Sequence, residues 1–217
     1  MAKGSKAPWI AIDGCIGAGK TTLARLMAEN LKLTFERERS DKHPFLEDFY
    51  AAPQETALQT ELGFVLIHYH QIATVIEKRQ GPIISDFTLA KDLLFARMNL
   101  LGEELSLFQS VYDHFAALTA PPTLLVKLDA TDRLLWRRVK VRDRVFERHM
   151  KREYLQRLNR EYQDLEGICG AANVLNLRSD DYDIVNNEQD LARIVKEIAQ
   201  AAGIKIYPSS SRNRRVL

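Results

Sequence analysis

The clearest chemical signal in the chain is a glycine-rich segment near its start. Residues 14–21 run Gly-Cys-Ile-Gly-Ala-Gly-Lys-Thr and match the pattern G-x-x-x-x-G-K-[ST] in full. Glycines at this spacing let the backbone wrap around a phosphate with its N–H groups pointing inward, while Lys20 neutralises charge and Thr21 offers a hydroxyl to Mg²⁺. The segment therefore predicts binding of ATP and Mg²⁺. The residues assigned to the nucleotide are Gly14, Cys15, Ile16, Gly17, Ala18, Gly19, Lys20, Thr21 and Thr22.

A second signal is a cluster of basic residues in the second half of the chain. Its members are Arg137, Arg138, Lys140, Arg142, Arg144 and Arg148. Such a run forms a solvated face, a nucleic-acid patch or a mobile lid over phosphates. A closing lid brings positive charge to a phosphoryl group in transfer and excludes water. We favour a lid over residues 137–149 and expect no nucleic-acid partner.

Both signals need a framework that brings them together, and the hydrophobic pattern predicts one. The apolar run Trp9–Asp13 predicts a buried strand before the glycine-rich segment, and Thr21–Leu31 predicts a helix after it. The other predicted strands are Lys32–Phe35, Ile83–Asp86, Thr123–Asp129 and Asn173–Leu177. The other predicted helices are Ala57–Lys78, Asp92–Leu101, Glu103–Leu118, one that begins at Asp132, Lys151–Leu165 and Glu188–Ala201. This alternation predicts an α/β fold, a P-loop NTPase-like three-layer sandwich with a central parallel sheet of about five strands and ligands at the carboxyl ends of the strands.

Composition limits the kind of protein. The 217 residues carry a net charge of only +2 and two cysteines, Cys15 and Cys169, so neither a nucleic-acid surface nor a disulfide framework is indicated. No apolar run approaches the roughly 20 residues of a membrane span, so we expect no membrane contact and a cytoplasmic location. We expect one domain over residues 7–205, with disordered tails at residues 1–6 and 208–217.

Four further segments match motifs that occur together in one enzyme family. They are residues 138–147, similar to a lid motif R-I-x-x-R-x-R-x-x-E; residues 44–50, similar to P-[FY]-L-x-x-F-Y; residues 86–96, similar to a D-R-S…D…F-A block; and Glu153-Tyr-Leu with Tyr162, similar to an E-Y-L…Y helix. With the glycine-rich segment, they make the chain resemble the deoxynucleoside kinases, a group that includes deoxyadenosine and deoxyguanosine kinases, from about Trp9 to Ala201. The resemblance implies phosphoryl transfer from ATP to a nucleoside 5′-hydroxyl by a homodimer.

The resemblance implies which residues perform the transfer. Glu38 corresponds to the general base that takes the proton of the 5′-hydroxyl, and Glu36 is the alternative because both lie in the segment Glu-Arg-Glu-Arg. Arg142 and Arg144 would contact the phosphates, with Arg138 in support. The implied catalytic set is Lys20, Glu38, Arg142 and Arg144.

Other positions correspond to residues that hold the sugar, the metal and the base. Tyr50 and Glu147 would bind the sugar 3′-hydroxyl, since a phenol and a carboxylate together offer it a donor and an acceptor. Asp86 would act on Mg²⁺ together with Thr21. The residues implied for the nucleoside pocket are Glu38, Tyr50, Glu61, Phe64, His68, Asp86, Phe87, Asp92 and Glu147.

The chain departs from the family pattern at three positions. Phe87 stands where an arginine is usual after the acidic residue, and one of the lid arginines is expected to compensate. Glu61 stands for glutamine and His68 for arginine, while Asp92 is kept. An ionised Glu61 offers only acceptors and would match the N1–H and N2–H donors of guanine, whereas a Glu61 protonated beside Asp92 would imitate glutamine.

The sequence therefore predicts an ATP-dependent kinase that phosphorylates the 5′-hydroxyl of a deoxynucleoside, with purines preferred over pyrimidines. One alternative is a nucleoside monophosphate kinase or another small-molecule kinase, which would need an extra cation near the acceptor. The other alternative is a nucleotide-binding regulatory protein without catalytic activity, for which the three departures are the support.

Overall fold

A central sheet of five parallel strands organises the chain. The computed structural model describes residues 7–205. The strands are β1 (Trp9–Gly14), β2 (Thr34–Glu36), β3 (Ile83–Ser85), β4 (Leu124–Asp129) and β5 (Asn173–Arg178). They lie in the order β2-β3-β1-β4-β5, all parallel, which confirms the predicted sheet. The predicted disordered tails at 1–6 and 208–217 lie outside the described residues.

Helices cover both faces of this sheet. They are α1 (Lys20–Leu31), α2 (Leu46–Ala51), α3 (Pro53–Gln71), α4 (Ala90–Asn99), α5 (Gly102–Leu118), α6 (Asp132–Arg142), α7 (Arg152–Glu161), α8 (Leu165–Cys169) and α9 (Glu188–Ala201). Within residues 7–205, none of the helices has both the length and the apolar composition that crossing a membrane would require.

The three layers follow from the alternation of side chains along β1. Ile10 and Ile12 are fully buried in one hydrophobic cluster with α1 and α9. Trp9 and Ala11 point to the other face and pack in a second cluster with α3 and α5. Because successive residues of a strand face opposite sides, a strand with four consecutive apolar residues, such as Trp9–Ile12, must be covered on both faces. The predicted three-layer sandwich is therefore confirmed.

Several element boundaries differ from those predicted. Lys32, predicted to start a strand, has the left-handed conformation (φ 54°) that ends α1, so β2 begins only at Thr34. The helix α3 begins earlier than predicted, at Pro53, because proline suits the first helical turn. It then continues as a π-helical segment, Ile72–Ile76. The predicted helix over 151–165 is interrupted by a 3₁₀ turn at residues 162–164.

The basic segment predicted as a lid consists of two structural parts. Its first part is the end of α6, which terminates where Asp143 adopts the left-handed conformation (φ 44°). Its second part is the 3₁₀ turn Val145–His149. Arg142 and Arg144 therefore lie on either side of the chain reversal. The short helix α2, which packs against α3, was not predicted.

The glycine-rich loop is fitted closely to its neighbours. Gly17 has φ 87°, and a Cβ there would lie 2.8 Å from the carbonyl oxygen of Leu135 in α6. Gly81, by contrast, has no atom within 4 Å of the position of an added Cβ. A side chain at Gly17 would thus be strained in conformation and would push α6 away from the loop.

We expect Gly17→Ala to lower the free energy of unfolding by about 1–3 kcal/mol, the range for a residue held in a disfavoured conformation. Urea denaturation followed by circular dichroism measures this difference. The matched control is Gly81→Ala, which we expect to be nearly neutral. Equal unfolding free energies for the two variants would contradict the tight fit of the loop against α6.

Candidate active site

The glycine-rich loop connects β1 to α1 and is held by contacts from several directions. Lys20 Nζ donates to the carbonyl oxygen of Gly14 at 2.7 Å. Arg138 Nη1 of α6 donates to the Ala18 carbonyl at 3.0 Å, and Ser179 Oγ donates to the same oxygen at 2.8 Å. Ser179, which follows β5, was not predicted from the sequence. These bonds fix the shape of the loop beside a cation of the lid.

A cavity runs along the outside of this loop, and we call it the loop cavity. Ten of the residues that line it are Gly17, Ala18, Gly19, Lys20, Thr21, Thr22, Arg138, Arg142, Arg144 and Ser179. Most residues assigned to the nucleotide therefore border one space. Cys15 is buried in the core instead, where burial raises the pKa of its thiol to about 12.

The residues predicted to bind Mg²⁺ are adjacent in the structure. Thr21 Oγ1, at the start of α1, donates to Asp86 Oδ2 at 2.5 Å, and Asp86 directly follows β3. A hydroxyl and a carboxylate are the oxygen ligands that Mg²⁺ prefers. Within residues 7–205, no group of three or more His, Cys, Asp or Glu side chains could hold a metal. The fit is therefore to an ion held by these two oxygens together with phosphate and water.

A second cavity, which we call the carboxylate cavity, lies on the other side of Lys20. Its lining includes Glu38, Tyr50, Glu61, Phe64, Asp86, Lys91, Asp92, Phe95 and Glu147. Lys20, Thr21, Arg142 and Arg144 line both cavities. A phosphate in the loop cavity and a small molecule in the carboxylate cavity would consequently meet at these four residues.

Glu38 is the carboxylate at the centre of a chain of buried charges. Its Oε1 accepts from Lys91 Nζ of α4. The same oxygen lies 3.2 Å from His68 Nε2 of α3, and His68 Nδ1 lies 2.8 Å from Asp92 Oδ1. Two acids and two basic groups therefore alternate in the order Asp92, His68, Glu38, Lys91.

These pairings set the protonation states of Glu38 and His68. Burial favours the neutral form of Glu38, but the cations of Lys91 and His68 outweigh it and hold the pKa of Glu38 well below its ordinary value. Burial also opposes the charge on His68, yet Asp92 and Glu38 raise the pKa of His68 to about 9. At neutral pH, Glu38 is thus ionised and His68 is protonated.

Asp13 links the glycine-rich loop to the region before α4. Its Oδ1 accepts from the Gly14 N–H at 2.7 Å, and its Oδ2 accepts from the Thr88 N–H at 3.1 Å and the Thr88 hydroxyl at 2.6 Å. Burial raises the pKa of Asp13, while Lys91 and Lys20 oppose the rise. The carboxylate thereby ties the end of β1 to the segment that positions Lys91.

The far end of the carboxylate cavity combines a carboxyl group with an aromatic wall. Glu61 Oε1 accepts from Asn99 Nδ2 at 2.8 Å, whereas Glu61 Oε2 is buried and has no hydrogen-bond partner among the described residues. Phe64 stacks on His43 with ring centroids 4.1 Å apart. Burial raises the pKa of Glu61 to about 8, with Asn99 opposing and Asp92 adding to the rise. Glu61 is therefore largely protonated at neutral pH. Of the two alternatives drawn from the sequence, this agrees with the one in which Glu61 imitates glutamine.

The basic segment predicted as a lid is joined to the same cavity through Glu147. Arg142 Nη2 donates to Glu147 Oε1 at 2.6 Å, and Arg142 Nε donates to Glu147 Oε2 at 3.1 Å. Arg144 Nη1 lies 3.9 Å from Glu147 Oε1. Tyr50 borders the cavity with Glu147, as the predicted role of the two residues in sugar binding requires.

Two residues assigned to the nucleoside lie behind the cavity wall. Phe87 and His68 are fully buried, with ring centroids 4.9 Å apart and planes 18° from parallel. Neither belongs to the lining of the carboxylate cavity. Their direct contact with a substrate stays a prediction, and the structure gives His68 a position between Asp92 and Glu38.

Comparison with known proteins identifies the family. The family model described as deoxynucleoside kinase matches residues 10–202. The chain belongs to the deoxynucleoside kinase family. It is therefore a phosphotransferase that acts on a hydroxyl acceptor, with nucleoside kinase activity.

Individual relatives agree with this family. The chain is 29% identical over 201 residues to a deoxyguanosine kinase of Bacillus subtilis (strain 168). The aligned region covers 89% of this chain and 97% of the relative. It is 30% identical over 193 residues to a deoxyadenosine kinase of Dictyostelium discoideum, covering 86% and 77% of the two chains. The solved structure of deoxyadenosine kinase from M. mycoides with bound dATP has the same fold, with a TM-score of 0.76 at 20% identity over 88% of this chain and 98% of that chain.

Besides Ser179, sequence reasoning missed Lys91 and Asn99. A lysine in the first turn of a helix is normally solvated, but Lys91 is buried because α4 begins at the carboxyl edge of the sheet. The signal that could have identified it is its place directly before Asp92, on the helix that follows Asp86. Asn99, at the end of α4, carried no such signal.

We expect Glu38→Gln to lower kcat by roughly 10²–10⁴-fold, because an amide cannot take the proton of the acceptor hydroxyl. The matched control is Glu36→Gln. Glu36 Oε1 accepts from Gln71 Nε2 at 2.6 Å and from Arg39 Nη2 at 2.8 Å, and Glu36 does not line the carboxylate cavity. Steady-state kinetics with a deoxynucleoside measure both variants, and a larger loss in Glu36→Gln would assign the base to Glu36.

Proposed function

We propose that the chain transfers the γ-phosphoryl group of ATP to the 5′-hydroxyl of a deoxynucleoside and prefers purine nucleosides. The observation that carries this proposal is the junction of the two cavities at Lys20, Thr21, Arg142 and Arg144. ATP would lie in the loop cavity and the nucleoside in the carboxylate cavity. Their reacting groups would then meet among cations that stabilise phosphoryl charge.

Glu38 supplies the proton acceptor for the transfer. The 5′-oxygen forms its bond to the γ-phosphorus as its proton passes to the Glu38 carboxylate, while the bond from the γ-phosphorus to the bridging oxygen breaks and its electron pair leaves with ADP. The ionised state of Glu38 at neutral pH supports this role. The proton later leaves to solvent.

Positive charge on the donor side comes from the loop and the lid. Lys20 lies where it can neutralise the β- and γ-phosphates, and Arg142 and Arg144 reach the same junction from the lid. Thr21 and Asp86 would hold Mg²⁺, which when bound would neutralise phosphate charge. Release of Arg142 from Glu147 would free its guanidinium group for the phosphoryl group in transfer.

The environment of Glu61 supports a purine preference. A protonated carboxyl group presents one donor and one acceptor, as glutamine does, and this pattern suits adenine. An ionised carboxylate presents acceptors only, which match the N1–H and N2–H donors of guanine. Oε2 of Glu61 has no partner among the described residues, so its hydrogen-bonding capacity would be available to the base.

The homodimer and the cytoplasmic location stay predictions of the resemblance and the composition. Exposed leucines support the dimer: Leu107 and Leu118 lie about three turns apart on one face of α5, and Leu66 is exposed on the neighbouring α3. A second copy of the chain would remove these side chains from water.

The function is tested by incubating the chain with ATP, Mg²⁺ and a panel of deoxynucleosides and nucleoside monophosphates. We expect deoxynucleoside 5′-monophosphates and ADP as products, with the deoxypurines giving the highest kcat/KM. Lys20→Ala is expected to lower both nucleotide affinity and turnover, since it removes the ammonium group from the junction. Products from monophosphates alone would favour the monophosphate kinase, and tight ATP binding without turnover would favour the regulatory protein.

We expect the base preference to depend on pH through Glu61. As pH rises from about 6.5 to about 8.5, Glu61 with its pKa of about 8 loses its proton, so the kcat/KM of deoxyguanosine should rise relative to that of deoxyadenosine by up to about tenfold. The control is Glu61→Gln, which cannot titrate and should give a constant ratio. A wild-type ratio that does not change with pH would contradict this role of Glu61.

A further inference from the structure

The proposed base, Glu38, owes its position to one buried cation. Lys91 is on the first turn of α4, and its Nζ donates to Glu38 Oε1. The side chain of Lys91 is only 9% exposed, and its ammonium group lies 5.7 Å from the centroid of the Phe95 ring on the same helix. A lysine held this firmly at a cavity wall has little freedom to reach water, so its charge must be satisfied inside the site.

The backbone holds Glu38 from a second direction. The Glu38 N–H donates to Asp86 Oδ1 at 2.7 Å, so the chain following β2 is fixed at the end of β3. Two contacts, one to the backbone and one to the carboxylate, therefore aim Glu38 into the carboxylate cavity. Asp86 fixes the main chain, and Lys91 fixes the side chain.

Other charged groups face Glu38 from every element around it, but their partners differ. They are Lys20 of α1, His68 of α3, Asp86 after β3, Asp92 of α4 and Arg144 after α6. Lys20 donates to loop carbonyls, His68 is shared with Asp92, and Arg144 is in an ion pair with Glu147. Tyr162 also faces this group, and burial raises its pKa well above the ordinary value, so it stays neutral.

Phe87 supplies no positive charge beside Glu38, whereas Lys91 does. The Phe87 ring is fully buried and stacked on His68, so the residue directly after Asp86 contributes no charge to the cavity. Lys91 lies four positions further along the chain, in the first turn of α4, and does line the cavity. We propose that Lys91 is a positioning residue for phosphoryl transfer, whose ammonium group holds the Glu38 carboxylate in place to receive the acceptor proton.

This inference rests on the proposed function and makes a prediction about how the kinetic constants divide. A positioning residue acts on the step in which the acceptor proton passes to Glu38, so its loss lowers kcat and leaves the KM of ATP and of the deoxynucleoside nearly unchanged. Another cation that reaches Glu38 Oε1 restores the rate. A purely structural loss would change the KM values as well and would not be restored by arginine.

The experiment compares Lys91→Met and Lys91→Gln, which lack the charge, with Lys91→Arg, which keeps it. We expect each neutral variant to lower kcat roughly 100-fold, with little change in the KM of ATP or of the deoxynucleoside. Lys91→Arg should restore most of kcat. ADP binding and urea denaturation identify variants that have not folded. If one neutral variant does not fold, kcat is measured on the other.

The matched control is Lys127→Met. Lys127 is also a buried lysine near a carboxylate, 3.5 Å from Asp129, but it lines neither cavity. We expect this variant to keep the wild-type kcat. A wild-type kcat in a folded neutral variant, or Lys91→Arg as impaired as Lys91→Met, would overturn the inference alone. Absence of turnover by the wild-type chain with every deoxynucleoside would overturn the proposed function, and this inference with it.

Discussion

Burial of charge at the carboxyl edge of the sheet is the constraint on which the whole site depends. Asp13, His68, Lys91 and Asp92 are buried and the side chain of Glu38 is only 17% exposed, and a charged group in such a position is costly unless it is paired. Each of the five is paired or hydrogen-bonded within a few ångströms. Because removal of one partner leaves another unsatisfied, the geometry of the site is fixed by electrostatics more than by shape.

This constraint also explains the path of the backbone around Glu38, the proposed catalytic base. The segment that carries Glu38 leaves β2 and has no regular structure until residue 40, yet it is firmly held by Gln71 at the end of α3. Gln71 Nε2 donates to Glu36 Oε1 and to the Arg37 carbonyl, and Gln71 Oε1 accepts from the Arg39 N–H. One buried amide thus supplies the hydrogen bonds that a strand or helix would otherwise supply.

The parts of the molecule that could be predicted from sequence are those encoded locally. The phosphate loop was identified because its glycines, Lys20 and Thr21 are consecutive, and the five strands were identified because each is a short apolar run. The role of Lys91 could not be predicted, since its partner Glu38 lies 53 positions away and only the fold brings them together. The protonation of Glu61 was left open for the same reason, because its cause is burial. The expectation that a lid arginine replaces the one missing at Phe87 stays a prediction.

The junction shared by the two cavities has a consequence for how this protein can diversify. Lys20, Thr21, Arg142 and Arg144 line both cavities, so under the proposed function a change at any of them would disturb both halves of the reaction. Glu61 and Phe64 line only the carboxylate cavity. Replacements there can alter which base is accepted while leaving the transfer machinery intact. Because the two sets of residues are separate, the range of accepted bases can change during evolution while the phosphoryl-transfer reaction stays the same.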